Sequence, residues 1–438
     1  MSSNQARHSR GWMALLMVML PFSAAMSRWL SISPGAASFP YAYRILVAGL
    51  AVWIFIDLLS RQHQSFVTWL GMAFALSVVT WGVLSVQWSL DPSSGIQKTV
   101  GLALQAIALV GVVKLIDRRP QDIALLKYGI VLAGLVECAI ATWEVNTQTH
   151  LSDLIGQEWL FSYRDWPVGT FVNPNNLAAF LTFVTAVAFS LLFTDESGLM
   201  RILSAIVIAW APIVIIDARS LGMLVSYGVI VTAYLLWMIR KHIGWLVMLI
   251  LTLGTSFFVV AAGGYFDLEA FVARVVDSNQ STSFTSRLNT YIYGLQLLID
   301  SHGLGIGPGS YEIVASGLTS RYAQDNLPLL NPHNTILELL LSYGFLVATP
   351  LILLAIIALV IYLHTFFSRK DPSIRILALE GLTGSFAVAL ASVIASSLMI
   401  ETSWWMSIAY LIALSQVVRV RPSEQNQAAS ESEIVAKA

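Results

Sequence analysis

The chain has 438 residues, 57 % of them hydrophobic and only 11 % charged, with a mean hydropathy of +0.73. Soluble domains carry roughly one quarter charged residues, so this composition excludes a soluble globular protein. A net charge of −1 gives no overall attraction for nucleic acid, and a single cysteine, Cys138, excludes an intrachain disulfide or a cysteine-based zinc cluster.

Apolar runs predict an all-α polytopic membrane protein of about 12 transmembrane helices. They fall at 11–27, 43–59, 66–86, 97–116, 122–143, 176–194, 202–216, 221–238, 243–262, 335–366, 376–397 and 403–418. Arg7 and Arg10 precede the first run, which reads as an uncleaved helix rather than a signal peptide. The run at 335–366 exceeds one membrane thickness and contains Gly344 and Pro350, so a short helical lead-in should precede the true span.

The domain plan is residues 1–262, helices 1–9 with an outer loop at 144–175; 263–334, a helical cap loop; 335–421, helices 10–12; and 422–438, a disordered tail. With the N-terminus inside, fifteen Lys and Arg fall on cytoplasmic segments and eight on the longer outer ones. That asymmetry predicts both termini in the cytoplasm and both long loops outside.

Ionisable residues inside spans are functional candidates. Asp57, Lys98, Lys127, Glu338, Glu380 and Glu401 lie near helix ends, however, where snorkelling to the interface is expected. Glu137 is the deepest and is expected to make a structural hydrogen bond within the bundle, with a proton relay as the minority reading. An ion-driven transporter would need midplane carboxylates on broken helices in two related halves, and the sequence offers no clear pattern of that kind.

The outer segments carry the chemistry. Trp159, Phe161, Tyr163 and Trp166 could border a sugar groove or form an interfacial belt, and Asn173-Pro174-Asn175-Asn176 caps a span. Asp217-Ala218-Arg219-Ser220 joins two spans with almost no loop, which makes Arg219 either an interfacial anchor or a fixed guanidinium able to fork onto phosphate. Thr285 or Ser286 should cap an amphipathic helix with Arg287 in its first turn and Tyr291, Leu295 and Leu298 on one apolar face. A cation is disfavoured there by the helix dipole, so Arg287 points to an anionic partner or is solvated.

Gly303, Gly305, Gly307 and Gly309 alternate through 303–311, suited to a tight turn or to an oxyanion-binding backbone. Asn331 at a cap and Pro332 at the first position would start the tenth span, leaving His333 neutral in the first turn and able to accept a proton from a sugar hydroxyl. His150 and His302 also face outward, but no histidine pair has metal-site spacing.

Together these segments resemble the O-antigen ligase and polysaccharide polymerase superfamily of bacterial inner-membrane glycosyltransferases, which is GT-C-like. The resemblance runs along the whole chain: Trp88-Ser89 with Asp91-Pro92, the FVNPNNLA segment from Phe171 to Ala178, Arg219, Arg287 leading into GLGIGPGSY, and PHNTILELLLSYGFLVATP at 332–350. Ala218 departs from the Ser or Thr that often precedes the short-loop arginine. The resemblance implies a metal-independent, inverting, cofactor-free transfer of a glycan from undecaprenyl diphosphate at the periplasmic face. His333 would be the base and Arg219 and Arg287 the diphosphate ligands. Asn331, Asn334, Glu338, Asn173, Asn175, Gly305 and Gly307 would support them.

The acceptor would be a lipid A-core hydroxyl, making the protein a ligase, or a second lipid-linked glycan, making it a polymerase. A lipid-oligosaccharide flippase is the reading from another class. The partners are the donor and acceptor glycans and membrane lipids, with no nucleic acid.

Overall fold

The computed structural model describes residues 3–26, 42–59, 64–151, 166–171, 173–240, 282–321, 331–395 and 398–437. The expected span at 243–262 and the aromatic residues Trp159, Phe161 and Tyr163 lie outside them. Among the described residues the regular structure is all helix: α1 Ser3–Ala25, α2 Ala42–Leu59, α3 Phe66–Trp88, α4 Pro92–Arg118, α5 Ile123–Thr147, α6 Pro174–Thr194 and α7 Gly198–Asp217. Then follow α8 Leu221–Ile239, α9 Thr282–Asp300, α10 Ser310–Arg321, α11 Thr335–Ser368, α12 Pro372–Ile394 and α13 Thr402–Lys437. Every expected span that falls on described residues coincides with a helix, and eight of these helices are long and apolar enough to cross a membrane.

Three helices share one starting device. Asp91-Pro92 opens α4, Asn173-Pro174 opens α6 and Asp371-Pro372 opens α12. Each capping oxygen accepts a first-turn N–H, from Ser94 at 3.0 Å, Asn175 at 2.8 Å and Ser373 at 2.8 Å. The proline that follows has no N–H to leave unpaired.

Burial sorts the helices into an inner and an outer set. The most apolar stretch of α6 is 78 % buried and that of α4 72 %, against 28 % for α8 and 33 % for α7. α6 packs on α7 and α12, α4 on α13, and α1 on α5. The outer helices expose apolar side chains such as Ile206, Ile213, Val225 and Val229, as lipid-facing surfaces require.

Snorkelling does not describe the ionisable residues. Lys127 Nζ lies 2.6 Å from Glu380 Oε2 and 3.1 Å from Ser190 Oγ, while the Tyr410 hydroxyl donates to the other Glu380 oxygen. Asp57 pairs with Lys114 at 2.5 Å and with Arg118, Lys98 pairs with Glu312, and Glu401 accepts from Asn176 Nδ2 at 3.2 Å. Except for Lys98, whose partner Glu312 is part-exposed, these groups meet partners on neighbouring helices inside the bundle, so reaching water is unnecessary. Glu137 behaves as expected: fully buried, it accepts from the backbone N–H of Thr170 at 3.1 Å and bonds the Thr170 hydroxyl.

α11 is broken at Gly344, whose φ of 69° and ψ of −169° are not helical. An unbroken helix would join Phe345 N–H to Leu341 C=O. Here Leu341 C=O accepts from Ile306 N at 2.7 Å and Phe345 N donates to Gly303 C=O at 2.9 Å. The glycine segment is therefore inserted into the helix and satisfies both halves of the missing bond.

All four of its glycines have positive φ, from 75° to 92°. A Cβ on Gly305 would lie 2.8 Å from the Gly344 nitrogen, and one on Gly307 would lie 2.9 Å from the Ser89 Cα. Gly344→Ala is expected to cost about 2 kcal/mol or more, from the left-handed backbone and a Cβ 2.4 Å from Gly303 O. A lowered thermal midpoint in detergent checks this.

α9 begins at Thr282, so Thr285 and Ser286 lie inside the helix and do not cap it, and Arg287 belongs to its second turn. The expected single apolar face splits in two. Leu298 is buried and Tyr291 packs with it against Leu337 and Leu341 of α11, whereas Leu295 is 51 % exposed alongside Leu288, Ile292 and Ile299. α13 runs from Thr402 to Lys437.

Candidate active site

His333 precedes α11; it is not in its first turn. Asn334 is the N-cap, accepting from Leu337 N at 3.1 Å, and Asn331 instead accepts the N–H of His333 at 2.9 Å. His333 takes φ of 47° between these two asparagines, a left-handed conformation that cannot continue into a helix. The expected start at Asn331-Pro332 is thus displaced by three residues, because a second capping residue stands at Asn334.

Arg287 and Tyr291 lie one turn apart on α9 and both reach this turn. The Tyr291 hydroxyl donates to the His333 carbonyl at 3.4 Å, and the Arg287 charge acts on the imidazole. Burial first, and then Arg287, push the His333 pKa down to about 4, so the ring is neutral at pH 7. The expected neutrality holds, with burial rather than a helix dipole as its main cause. His333 Nδ1 and Arg287 Nε are both buried without a hydrogen-bond partner. Each is an uncommitted buried nitrogen, one on a neutral ring and one on a permanent cation, in an interior where polar atoms are normally paired.

Arg219 stands on the adjoining corner. Only Ala218, Arg219 and Ser220 separate α7 from α8, and Arg219 has φ of 52°. Its guanidinium is exposed and lies 5.2 Å from the ring centre of Trp166. The corner meets the His333 turn through the end of α12. A Cβ on Gly222 would lie 2.4 Å from Ile394, and the Tyr291 hydroxyl is 3.5 Å from the carbonyl of Val393, its neighbour. Of four non-glycine residues with positive φ among those described, two are Arg219 and His333. Strain of this kind concentrates at functional sites.

Residues 204–352, about one third of the chain, match the family described as O-antigen ligase. This segment is similar to the O-antigen ligase family. Arg219, Arg287, the glycine segment and His333 all fall within the O-antigen ligase match. The O-antigen ligase family supports, in general terms, glycosyl transfer of the ligase or polymerase type on lipid-linked glycans by a multi-pass membrane protein. No curated protein matches the chain.

The remaining expected site residues separate by role. Asn331 and Asn334 shape the His333 turn, and Glu338 is buried one turn further along α11, its N–H donated to Asn334 C=O at 2.9 Å. Asn173 and Asn175 make the cap of α6. Gly305 belongs to packing: its N–H goes to Ser301 Oγ at 3.2 Å and its carbonyl accepts from Trp88 Nε1 at 3.2 Å. Gly307 is pressed against the Ser89 backbone, so the tight-turn reading of the glycine segment prevails over an oxyanion site. Sequence reasoning missed Tyr291 as the link to His333, having placed it only on an apolar face. It also missed Glu144, whose spacing two turns from Glu137 on α5 was a readable signal.

Proposed function

We propose that the chain transfers a polysaccharide from undecaprenyl diphosphate to a lipid A-core hydroxyl at the periplasmic face of a bacterial inner membrane, without metal and with inversion. The observation that carries this reading is the buried neutral imidazole of His333 beside the Arg287 guanidinium. The acceptor oxygen attacks the anomeric carbon and the bond to the diphosphate breaks, the electron pair leaving with the phosphate oxygen. His333 takes the acceptor proton, and Arg287 and Arg219 meet the charge that grows on the leaving group. Diphosphate is already a good leaving group, so a base and two cations meet the chemical demand.

The same arrangement matches base strength to the presence of substrate. In the free protein Arg287 holds down the proton affinity of His333. A bound diphosphate brings negative charge that offsets Arg287, and the imidazole becomes a stronger base when one is needed.

The active base form is lost as pH falls through the His333 pKa, so the acid limb of kcat/KM, which reports free protein, should lie near pH 4. The acid limb of kcat, which reports the donor complex, should lie at higher pH. In Arg287→Gln the histidine titration should move upward, followed by NMR of the labelled ring. Coincident limbs, and a titration that Arg287→Gln leaves in place, would discard this account.

The reading is tested by reconstitution in liposomes with an undecaprenyl-diphosphate-linked glycan, offered separately a lipid A-core acceptor and more of itself. Product on lipid A-core establishes the ligase. A ladder of lipid-linked glycan would make it a polymerase, and lipid movement without glycosidic bond formation a flippase.

A further inference from the structure

The short α7–α8 connection fixes the backbone of Arg219, but its long side chain is exposed and free to rotate unless something holds it. Trp166, from the separate connection between α5 and α6, supplies a ring 5.2 Å from the guanidinium carbon. The described stretch that follows Trp166 is secured to α5. Glu144 Oε2 accepts the N–H groups of Val168 at 2.7 Å and Gly169 at 2.8 Å, and its Oε1 accepts Leu151 N at 3.2 Å. Glu137 Oε2 accepts the next amide, Thr170 N, at 3.1 Å.

Three consecutive amides are therefore bound by two glutamates on one face of α5. Both carboxylates are buried, Glu137 completely and Glu144 at 3 % exposure. Gly169, at φ of 59°, permits the turn, and a Cβ there would lie 2.2 Å from Glu137 Oε2. Burying two carboxyl groups in a membrane protein is costly, and hydrogen bonds to backbone amides offset part of that cost. What they secure is two residues from Trp166.

We infer that Trp166 is a positioning residue for Arg219, kept in place by Glu144 and Glu137 through the 168–170 backbone. The inference rests on the diphosphate role proposed for Arg219. A guanidinium stacked on an aromatic face gives up rotamer freedom before substrate arrives, and its N–H edges remain open to phosphate oxygens.

The test is a double-mutant cycle on initial rates, with donor concentration varied in the liposome assay. Trp166→Leu should lower kcat/KM for the donor about 10-fold, mainly through KM, while Trp166→Tyr, which keeps a stacking face, should stay within about 3-fold. In an Arg219→Ala background Trp166→Leu should cost less than about 2-fold, since its effect has been removed with the arginine. Glu144→Gln keeps only one accepting oxygen, so it should reproduce the Trp166→Leu loss and speed amide exchange at 168–170. Losses that multiply in the double variant would overturn the inference, as would full donor affinity in Trp166→Leu. Full turnover in Arg219→Ala alone would refute the role of Arg219 itself and take the inference with it.

Discussion

His333→Ala is expected to lower turnover about 100-fold or more while leaving the fold intact, the scale of loss when a general base is removed. The turn should survive because its bonds are backbone bonds. Asn331 accepts the His333 N–H and the Tyr291 hydroxyl donates to the His333 carbonyl, and neither needs the imidazole. His333→Asn is the companion variant, since asparagine tolerates the left-handed backbone that alanine adopts only at some cost. Arg287→Ala should lose activity on the same scale, by removing the cation that faces the leaving group. Steady-state turnover in the reconstituted system, with thermal midpoints alongside, decides the matter. Near-normal rates in well-folded His333→Asn would remove His333 from the mechanism.

Lys127→Met is expected to be the most damaging single substitution for stability, on the order of 3–5 kcal/mol, because it strands Glu380 among α6, α12 and α13 without its cation. Lys127 and Glu380 are both almost fully buried, so no water can replace the lost partner. The double variant Lys127→Met/Glu380→Leu should recover much of the loss, since replacing both members removes the uncompensated charge. Urea or thermal unfolding in detergent reads both. A mild Lys127→Met would mean that the pair contributes little, and that Tyr410 satisfies Glu380 unaided.

The helical plan was legible because its signals are local. Apolar length marks a span, and Asp91-Pro92, Asn173-Pro174 and Asp371-Pro372 mark where three helices begin. The same signature misled at Asn331-Pro332, where Asn334 competes as a cap and contact with Tyr291 favours the left-handed turn. Partners distant in the chain were not legible at all. Distance from a helix end is written in the sequence, but that Lys127 meets Glu380, or that Ile306 fills the gap in α11, depends on helices folded together from far apart. Arg219, Arg287 and His333 were singled out for a simpler reason. Each is a charged or titratable group at a position where anchoring or solvation left an option open, and the geometry then gave two of them neighbours.

The glycine segment inserted into α11 also bears on how the chain is made. Besides closing the gap at Gly344, it holds the end of α3, with Trp88 Nε1 bonded to Gly305 C=O at 3.2 Å and Ser89 Oγ to Pro308 C=O at 2.6 Å. Those partners are 217 and 219 residues apart, so the early helices emerge from the ribosome long before the segment that locks them exists. Until α11 is synthesised, neither Gly303 C=O nor Ile306 N–H has its eventual partner. The joint between the glycine segment and α11 therefore forms late, and chains truncated before α11 are expected to lack it.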